Sequence, residues 1–372
     1  VHNVSKKITL VVGARPNFMK VAPLMHELLK YPGVFYTQLI HTGQHYDFDM
    51  SDIFFDDLEL PQPERFLGVG SGTHTEQTAK VMVAFEKVCI EEKPELVVVV
   101  GDVNSTMACA ITAKKLHVPV AHVEAGLRSR DWTMPEEINR IVTDAISDLL
   151  FTPSRDADNN LLREGIPPER IHFVGNVMID CLVTHLPKTE KRDTLRRFGL
   201  EEGNYATLTL HRPSNVDVKE VLSGILNVML EISEKLPIVW PVHPRSRNML
   251  TEFNLLHVAE SNQGLILTDP IGYIDMLTLN RRARMIITDS GGLQEEATFL
   301  GVPCITLRHN TERPVTIEAG ANQVVGNQPA AIRSAICSIL NKKRSEIRIP
   351  ELWDGSASVR IVDVLMRLYS QG

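Results

Sequence analysis

Short apolar runs alternate with longer segments of helical periodicity along most of this chain. Ile8 to Val12 is rich in β-forming residues, and Pro16 stands where a helix reaching about Leu29 would begin. Phe35 to Ile40 reads as a second strand, ending at His41-Thr42-Gly43-Gln44-His45. From about Thr75 to Glu91 the apolar positions recur at helical spacing. Leu96 to Val100 is unbroken and apolar, which predicts a central parallel strand covered on both faces. Gly101-Asp102 closes it, a small-residue helix follows over Thr106 to Lys115, and Val118 to Val123 makes the next strand. The pattern then restarts. Tyr205 to Leu210 is a strand, Val218 to Leu236 a helix and Ile238 to Val242 a strand, with shorter strands at Leu265 to Leu267, Met285 to Ile287 and Cys304 to Leu307.

Strand followed by helix, repeated in two runs, predicts an α/β fold made of two doubly wound, Rossmann-like halves. The join is expected near Phe173 to Asn176, with the charged stretch Pro187 to Arg197 just inside the second half. Val359 to Leu368 is apolar at helical spacing and suits packing on either half. Ligands of such sheets bind beyond the carboxyl ends of the strands, so the two halves are expected to face each other across a cleft lined by the residues that follow strands.

Composition narrows the class. At 372 residues the chain is long enough for two domains, and 43% hydrophobic with 23% charged residues is ordinary for a globular protein. A net charge of −7 argues against a general binder of nucleic acid or anionic membrane. No run approaches the roughly 18 to 20 apolar residues that span a bilayer. The amino end reads as a first strand and not a signal peptide, because Gly13-Ala14-Arg15-Pro16 interrupts its short apolar run without a small-residue cleavage site. Five widely spaced cysteines with no CxxC predict reduced thiols in a cytoplasmic protein. His41 and His45 form one HxxxH, but Gly43 lies between them in a loop, and no HExxH exists, so no metal is expected.

Three segments carry chemistry. Asp289-Ser290-Gly291-Gly292 follows a strand and opens a helix, where free N–H groups and the helix dipole suit a phosphate; Glu296 sits one turn in, placed for ribose hydroxyls. No GxGxxG follows a strand and no GxxxxGK[ST] exists, which excludes the usual dinucleotide and P-loop sites. Acidic residues gather at strand ends: Asp102, Glu124, and Glu136 in Pro135-Glu136-Glu137-Ile138-Asn139-Arg140. Ile138, Ile141, Val142, Ala145 and Ile146 form the apolar stripe of that helix, which predicts Glu136 and Arg140 together on its polar face. Three carboxylates at one rim are expected to repel each other and raise a pKa, as proton transfer requires. Cations and histidines also follow strands: Arg15, Lys20, His211, His243 and Arg313, an arrangement suited to a diphosphate.

In order along the chain, GARPNFMKVAPL, HTGQHYD, GDVNS, HVEAGLRS, MPEEINR, GN at 175–176, HRPSN, PVHP, TDSGGLQEEA and NTERP resemble the non-hydrolysing UDP-N-acetylglucosamine 2-epimerases. The resemblance implies the GT-B fold, with domains at 1–174 and 175–355 and a last helix, 356–372, packing back on the first domain. It implies a homodimer that interconverts UDP-GlcNAc and UDP-ManNAc without cofactor or metal. By the same resemblance Asp102, Glu124 and Glu136 are the catalytic carboxylates, and His211 assists departure of UDP. Arg15, Lys20, His243 and Arg313 surround the sugar nucleotide, Ser290, Gly291 and Gly292 hold the diphosphate, and Glu296 holds the ribose. Asp269 to Tyr273 resembles the uracil-facing loop, and Gln44 and His45 match residues of a second, activating UDP-GlcNAc site.

Two departures bear on function. His211-Arg212-Pro213-Ser214-Asn215 stands where many relatives read HRRENxG, so a second arginine is missing, and the loop between Glu124 and Pro135 is shorter than in common members. Both put obligatory activation in question and leave room for a modified substrate. A hydrolysing epimerase, a GT-B glycosyltransferase and a silent sugar-nucleotide sensor share parts of the pattern. The glycosyltransferase has no need of three rim carboxylates, and the sensor no need of any.

Overall fold

The computed structural model describes residues 5–43, 57–341 and 346–369. By its internal contacts the chain divides into one unit of Val1–Thr184 with Glu351–Gly372, and another of His185–Pro350.

The first unit is built on a parallel sheet of β1 (Lys6–Val12), β2 (Phe35–His41), β3 (Arg65–Phe66), β4 (Leu96–Val100), β5 (Val120–Val123), β6 (Leu149–Thr152) and β7 (Ile171–Phe173), in the order β3-β2-β1-β4-β5-β6-β7. All five residues of β4 are fully buried, the result expected of a central strand with helices on both faces. One side carries Val97 and Val99, which pack with Val81, Phe85 and Val88 of the His74–Glu92 helix and with the small residues Ala108, Cys109 and Ala113 of the Asn104–Lys115 helix. The second unit repeats the plan with β8 (Ala206–Thr209), β9 (Ile238–Pro241), β10 (Leu265–Thr268), β11 (Met285–Thr288), β12 (Cys304–Thr306) and β13 (Asn322–Val324), ordered β10-β9-β8-β11-β12-β13 and again parallel. Each order reverses direction once, between β1 and β4 and between β8 and β11. Crevices form at such reversals, beyond the carboxyl ends of the strands.

The divide falls at Thr184, past the expected join and inside the Val177–Thr189 helix. The reason is local packing with the returning chain. Asp180 accepts hydrogen bonds from the backbone N–H groups of Ala357 (3.0 Å) and Ser358 (2.6 Å), capping the helix Ala357–Tyr369. Gly175, at φ +90°, lets the Leu352 carbonyl approach so closely that no Cβ would fit. Trp353 is 2% exposed and donates its indole N–H to the Pro153 carbonyl at 2.9 Å. The final helix lies against the helix Arg15–Leu28.

Among the described residues no helix is long and apolar enough to cross a membrane. Cys89, Cys109, Cys181 and Cys304 are buried and Cys337 is exposed, all outside disulfides. Burial pushes the thiols of Cys89 and Cys304 up to about 12, which leaves them unreactive.

Candidate active site

In the first unit the polar groups collect where the sheet order reverses. Lys20, in the second turn of the helix that follows β1, reaches the Glu124 carboxylate at 2.6 Å, and both residues are buried. Glu124 follows β5 at φ +73°, a left-handed backbone that costs a non-glycine residue on the order of 1–3 kcal/mol. Three backbone bonds hold it there. The N–H groups of Glu124 and Ala125 both donate to the Phe151 carbonyl at 3.0 Å, and that of Gly126 donates to Asp144 at 3.0 Å.

Asp102, just past β4, pairs with the Arg140 guanidinium. The same guanidinium donates through Nε and Nη2 to Glu137 at 3.0 and 2.6 Å. Glu137 in turn accepts from the backbone N–H of Ser129 (3.0 Å) and Arg130 (2.8 Å). Burial alone would push its carboxyl up, but these donors and Arg140 outweigh burial and hold it below the usual range. Behind them His122 and Asp144 are both fully buried. His122 places Nδ1 2.6 Å from Asp144 and Nε2 2.8 Å from the Gly101 carbonyl, so one imidazole ties the Asp102 turn to the helix Pro135–Ile146.

Two expectations are corrected by this geometry. The acidic residues do not simply repel one another, because Asp102 rests on Arg140 and Glu124 on Lys20. The helix Pro135–Ile146 is also turned the other way. Glu137, Asn139, Arg140, Thr143 and Asp144 face inward, while Ile138 is 44% exposed. The charged partners waiting at the ends of β4 and β5 decide which face is buried. Glu136 lies in the first turn of that helix, half-buried, while Arg140 is deep beneath it. Arg15 opens the helix after β1. Gln44 and His45 lie outside the described residues.

In the second unit the reversal between β8 and β11 brings His211 and Asp289 together. His211 Nδ1 lies 2.9 Å from Asp289 Oδ1. His243, two residues past β9, is the N-cap of the helix Pro244–Glu252, its ring 5.6 Å from that of His211. Ser290 is the N-cap and Gly291 and Gly292 the first residues of the helix Gly291–Leu300, whose opening N–H groups have no acceptor within the helix. A side chain at Gly291 would collide with Arg313 and Glu312, so this turn is built on close approach. Arg313 is buried against it and paired with Glu295 at 2.8 Å and with Glu312. Glu296 is 3% exposed in the first turns of the same helix. Tyr273 begins the helix Tyr273–Arg282, buried edge-to-face on His185 at 5.8 Å.

The supporting residues His122 and Asp144 did not stand out in the sequence, and Glu137 and Asp289, though inside the segments singled out there, carried no assigned role. A polar stripe at Glu137, Arg140 and Asp144, spaced i, i+3, i+7, was the available signal, and it reads equally as a solvated face. Among the described residues no group of three or more His, Cys, Asp or Glu could hold a metal ion.

A family model described as UDP-N-acetylglucosamine 2-epimerase matches residues 27–366. This chain belongs to that family. Membership makes it an enzyme of the isomerase class, and the two-unit α/β architecture is the expected GT-B fold. It is 46% identical over 364 residues to the UDP-N-acetylglucosamine 2-epimerase of Methanocaldococcus jannaschii, covering 96% of this chain and 98% of that one. The crystal structure of that M. jannaschii enzyme in complex with UDP-GlcNAc and UDP aligns with a TM-score of 0.91 at 46% identity, over 97% of this chain and 99% of that one. A Pseudomonas aeruginosa relative, UDP-2,3-diacetamido-2,3-dideoxy-D-glucuronate 2-epimerase, is 38% identical over 366 residues, covering 97% of this chain and all of that one (100%).

Proposed function

We propose that this epimerase interconverts UDP-N-acetylglucosamine and UDP-N-acetylmannosamine by elimination and re-addition of UDP, without net hydrolysis. The observation that carries the reading is the pair of strand-end carboxylates, Asp102 and Glu124, each held by a buried cation at the reversal of the first sheet. The proton on carbon 2 of the sugar is weakly acidic, so its removal must be coupled to departure of a good leaving group. Asp102, Glu124 and Glu136 take that proton and supply another to the opposite face. As carbon 2 loses its proton, the bond from carbon 1 to the diphosphate oxygen breaks, leaving 2-acetamidoglucal and UDP. Charge then builds on the β-phosphate, where His211 donates. Protonation of carbon 2 and return of UDP to carbon 1 complete the inversion. Ser290, Gly291 and Gly292 receive the diphosphate, Glu296 the ribose and Tyr273 the uracil side, with Arg15, Lys20, His243 and Arg313 as the cationic and polar surround. No cofactor enters these steps.

Proton NMR in heavy water tests this: product should carry deuterium at carbon 2, free N-acetylmannosamine should not accumulate, and exhaustive chelation should leave the rate unchanged. Retention of the original proton would reject the mechanism. His211→Asn should lower turnover by about 10² to 10³. The P. aeruginosa relative supports a second reading, a substrate bearing a further substituent at carbon 3 or a carboxylate at carbon 6; the same assay run with such a sugar nucleotide separates the two. Activation through Gln44 and His45 is read as weak, so initial rates against UDP-GlcNAc should be hyperbolic. We also propose a cytoplasmic homodimer. The buried thiols support the compartment, and the outward Val83, Ile90 and Ile138, on the two helices that both pack on Asn104–Lys115, support the dimer. Light scattering on a Val83→Glu/Ile138→Glu variant should report a monomer with unchanged circular dichroism.

A further inference from the structure

We propose that Asp289 is a positioning residue for His211, fixing which ring nitrogen meets the substrate; this rests on the role of His211 given above. Asp289 is fully buried at the carboxyl end of β11, and it receives donors only. The backbone N–H of His211 approaches its two oxygens at 3.2 and 3.0 Å, that of Arg212 lies at 2.9 Å, and the Asn215 amide donates at 3.1 Å. The His211 ring adds Nδ1 at 2.9 Å. A carboxylate that accepts from four separate groups and has nothing to donate to is ionised. Burial alone would push Asp289 up, but His211 and the two backbone N–H groups outweigh burial and hold it below the usual carboxylate range. With Nδ1–H held, Nε2 on the far side of the ring is the nitrogen left for a ligand.

The strand pairing makes this placement stiff. Thr209 and Thr288 are register partners at the ends of β8 and β11, and their hydroxyls share a 2.6 Å hydrogen bond. Asp289 therefore cannot shift without disturbing the centre of the second sheet, and Ser290, the next residue, opens the phosphate-binding turn. Among the described residues, His243 from beyond β9 faces the His211 ring, and Arg212 is its neighbour in the chain. His243 faces the His211 ring at 5.6 Å between centroids, whereas Asp289 meets it at hydrogen-bond distance. A carboxylate behind an imidazole fixes its tautomer and stabilises the cation when it forms. For His211 that means the imidazolium, its Nδ1–H held by Asp289, gives its Nε2 proton to the departing diphosphate, leaving the neutral Nδ1–H ring, which takes the proton back on return.

The experiment is kinetics on Asp289→Asn, His211→Asn and the double variant, with nitrogen-15 NMR of the His211 ring. Asp289→Asn should lower kcat by about 10² or more, while KM and UDP affinity stay within about threefold. The double variant should be no slower than His211→Asn alone within about threefold, because residues acting as one unit are not additive. In the wild-type protein the neutral ring should carry its proton on Nδ1, and in Asp289→Asn on Nε2. A wild-type ring protonated on Nε2 would overturn the proposal whatever the variants do, as would losses that multiply in the double variant. If His211→Asn is fully active while the wild-type tautomer is as stated, the assignment of His211 to catalysis fails and the positioning contact stands.

Discussion

At the scale of single residues, this protein stores charge where its chemistry is proposed, and pairs it with opposite charge. Lys20 and Glu124 are 8% and 3% exposed at the side chain and 2.6 Å apart. Lys20→Met takes the buried cation from the Glu124 carboxylate, which should cost about 3 to 5 kcal/mol in a urea titration. Adding Glu124→Gln should recover most of that stability while turnover stays low, separating the structural from the chemical share of the pair. His41 shows the opposite strategy. It is stacked between Phe18 (5.3 Å) and Phe66 (4.9 Å), its Nδ1 accepts from the Gly43 N–H at 2.8 Å, and burial pushes it down to about 4. Below pH 6.5 the unfolded chain takes up a proton that the folded chain refuses until about pH 4. The stability given by a neutral His41 is thus present above 6.5 and drains away toward 4, by about 3 kcal/mol in all. His41→Asn should lower stability at neutral pH yet flatten its fall between those limits, read from urea midpoints across that range.

At the scale of elements, the helix Pro135–Ile146 shows how far a pattern can be trusted. Its period announces a two-faced helix, and nothing in the period says which face turns inward. Burial goes to the polar face because Arg140 binds Glu137 and Asp102 at once, a fork that only guanidinium supplies. Arg140→Leu should destabilise by about 3 to 5 kcal/mol, since it takes the shared cation from two acids. Arg140→Lys should fold but lose turnover, because one ammonium cannot hold both carboxylates in register; differential scanning calorimetry and initial rates check the pair. The long apolar strands and the strand-end positions of the candidate residues were legible for one shared reason: the apolar run of a buried strand must stop abruptly, and the residues just past its end are the ones a ligand can reach. β3, β6, β7 and β13 were not. β6, β7 and β13 are four, three and three residues long, and β13 begins with Asn322, whose side chain is taken up inside by Thr306, Thr316 and Gln294. His122 and Asp144 give no signal because a buried hydrogen-bonded pair needs two positions far apart in sequence, and neither alone departs from the ordinary.

At the scale of the whole molecule, the decisive feature is that the chain leaves its first unit at Thr184 and comes back to it at Glu351. A ribosome therefore finishes the second unit before it has made the last parts of the first. Until Trp353 fills its slot against Pro153 and Asp180 receives the N–H groups of Ala357 and Ser358, the earlier-made sheet waits with an open seam and a buried acid lacking its donors. Order of synthesis and order of completion are thus inverted, and any nascent chain arrested before its final helix is one that chaperones and proteases should meet half-closed. Limited proteolysis of a chain ending at residue 350 should spare the His185–Pro350 unit while cutting the amino-terminal one, and a synthetic 351–372 peptide added in trans should restore its protection. Equal resistance of both units without the peptide would mean that the tail only decorates a sheet that closes by itself.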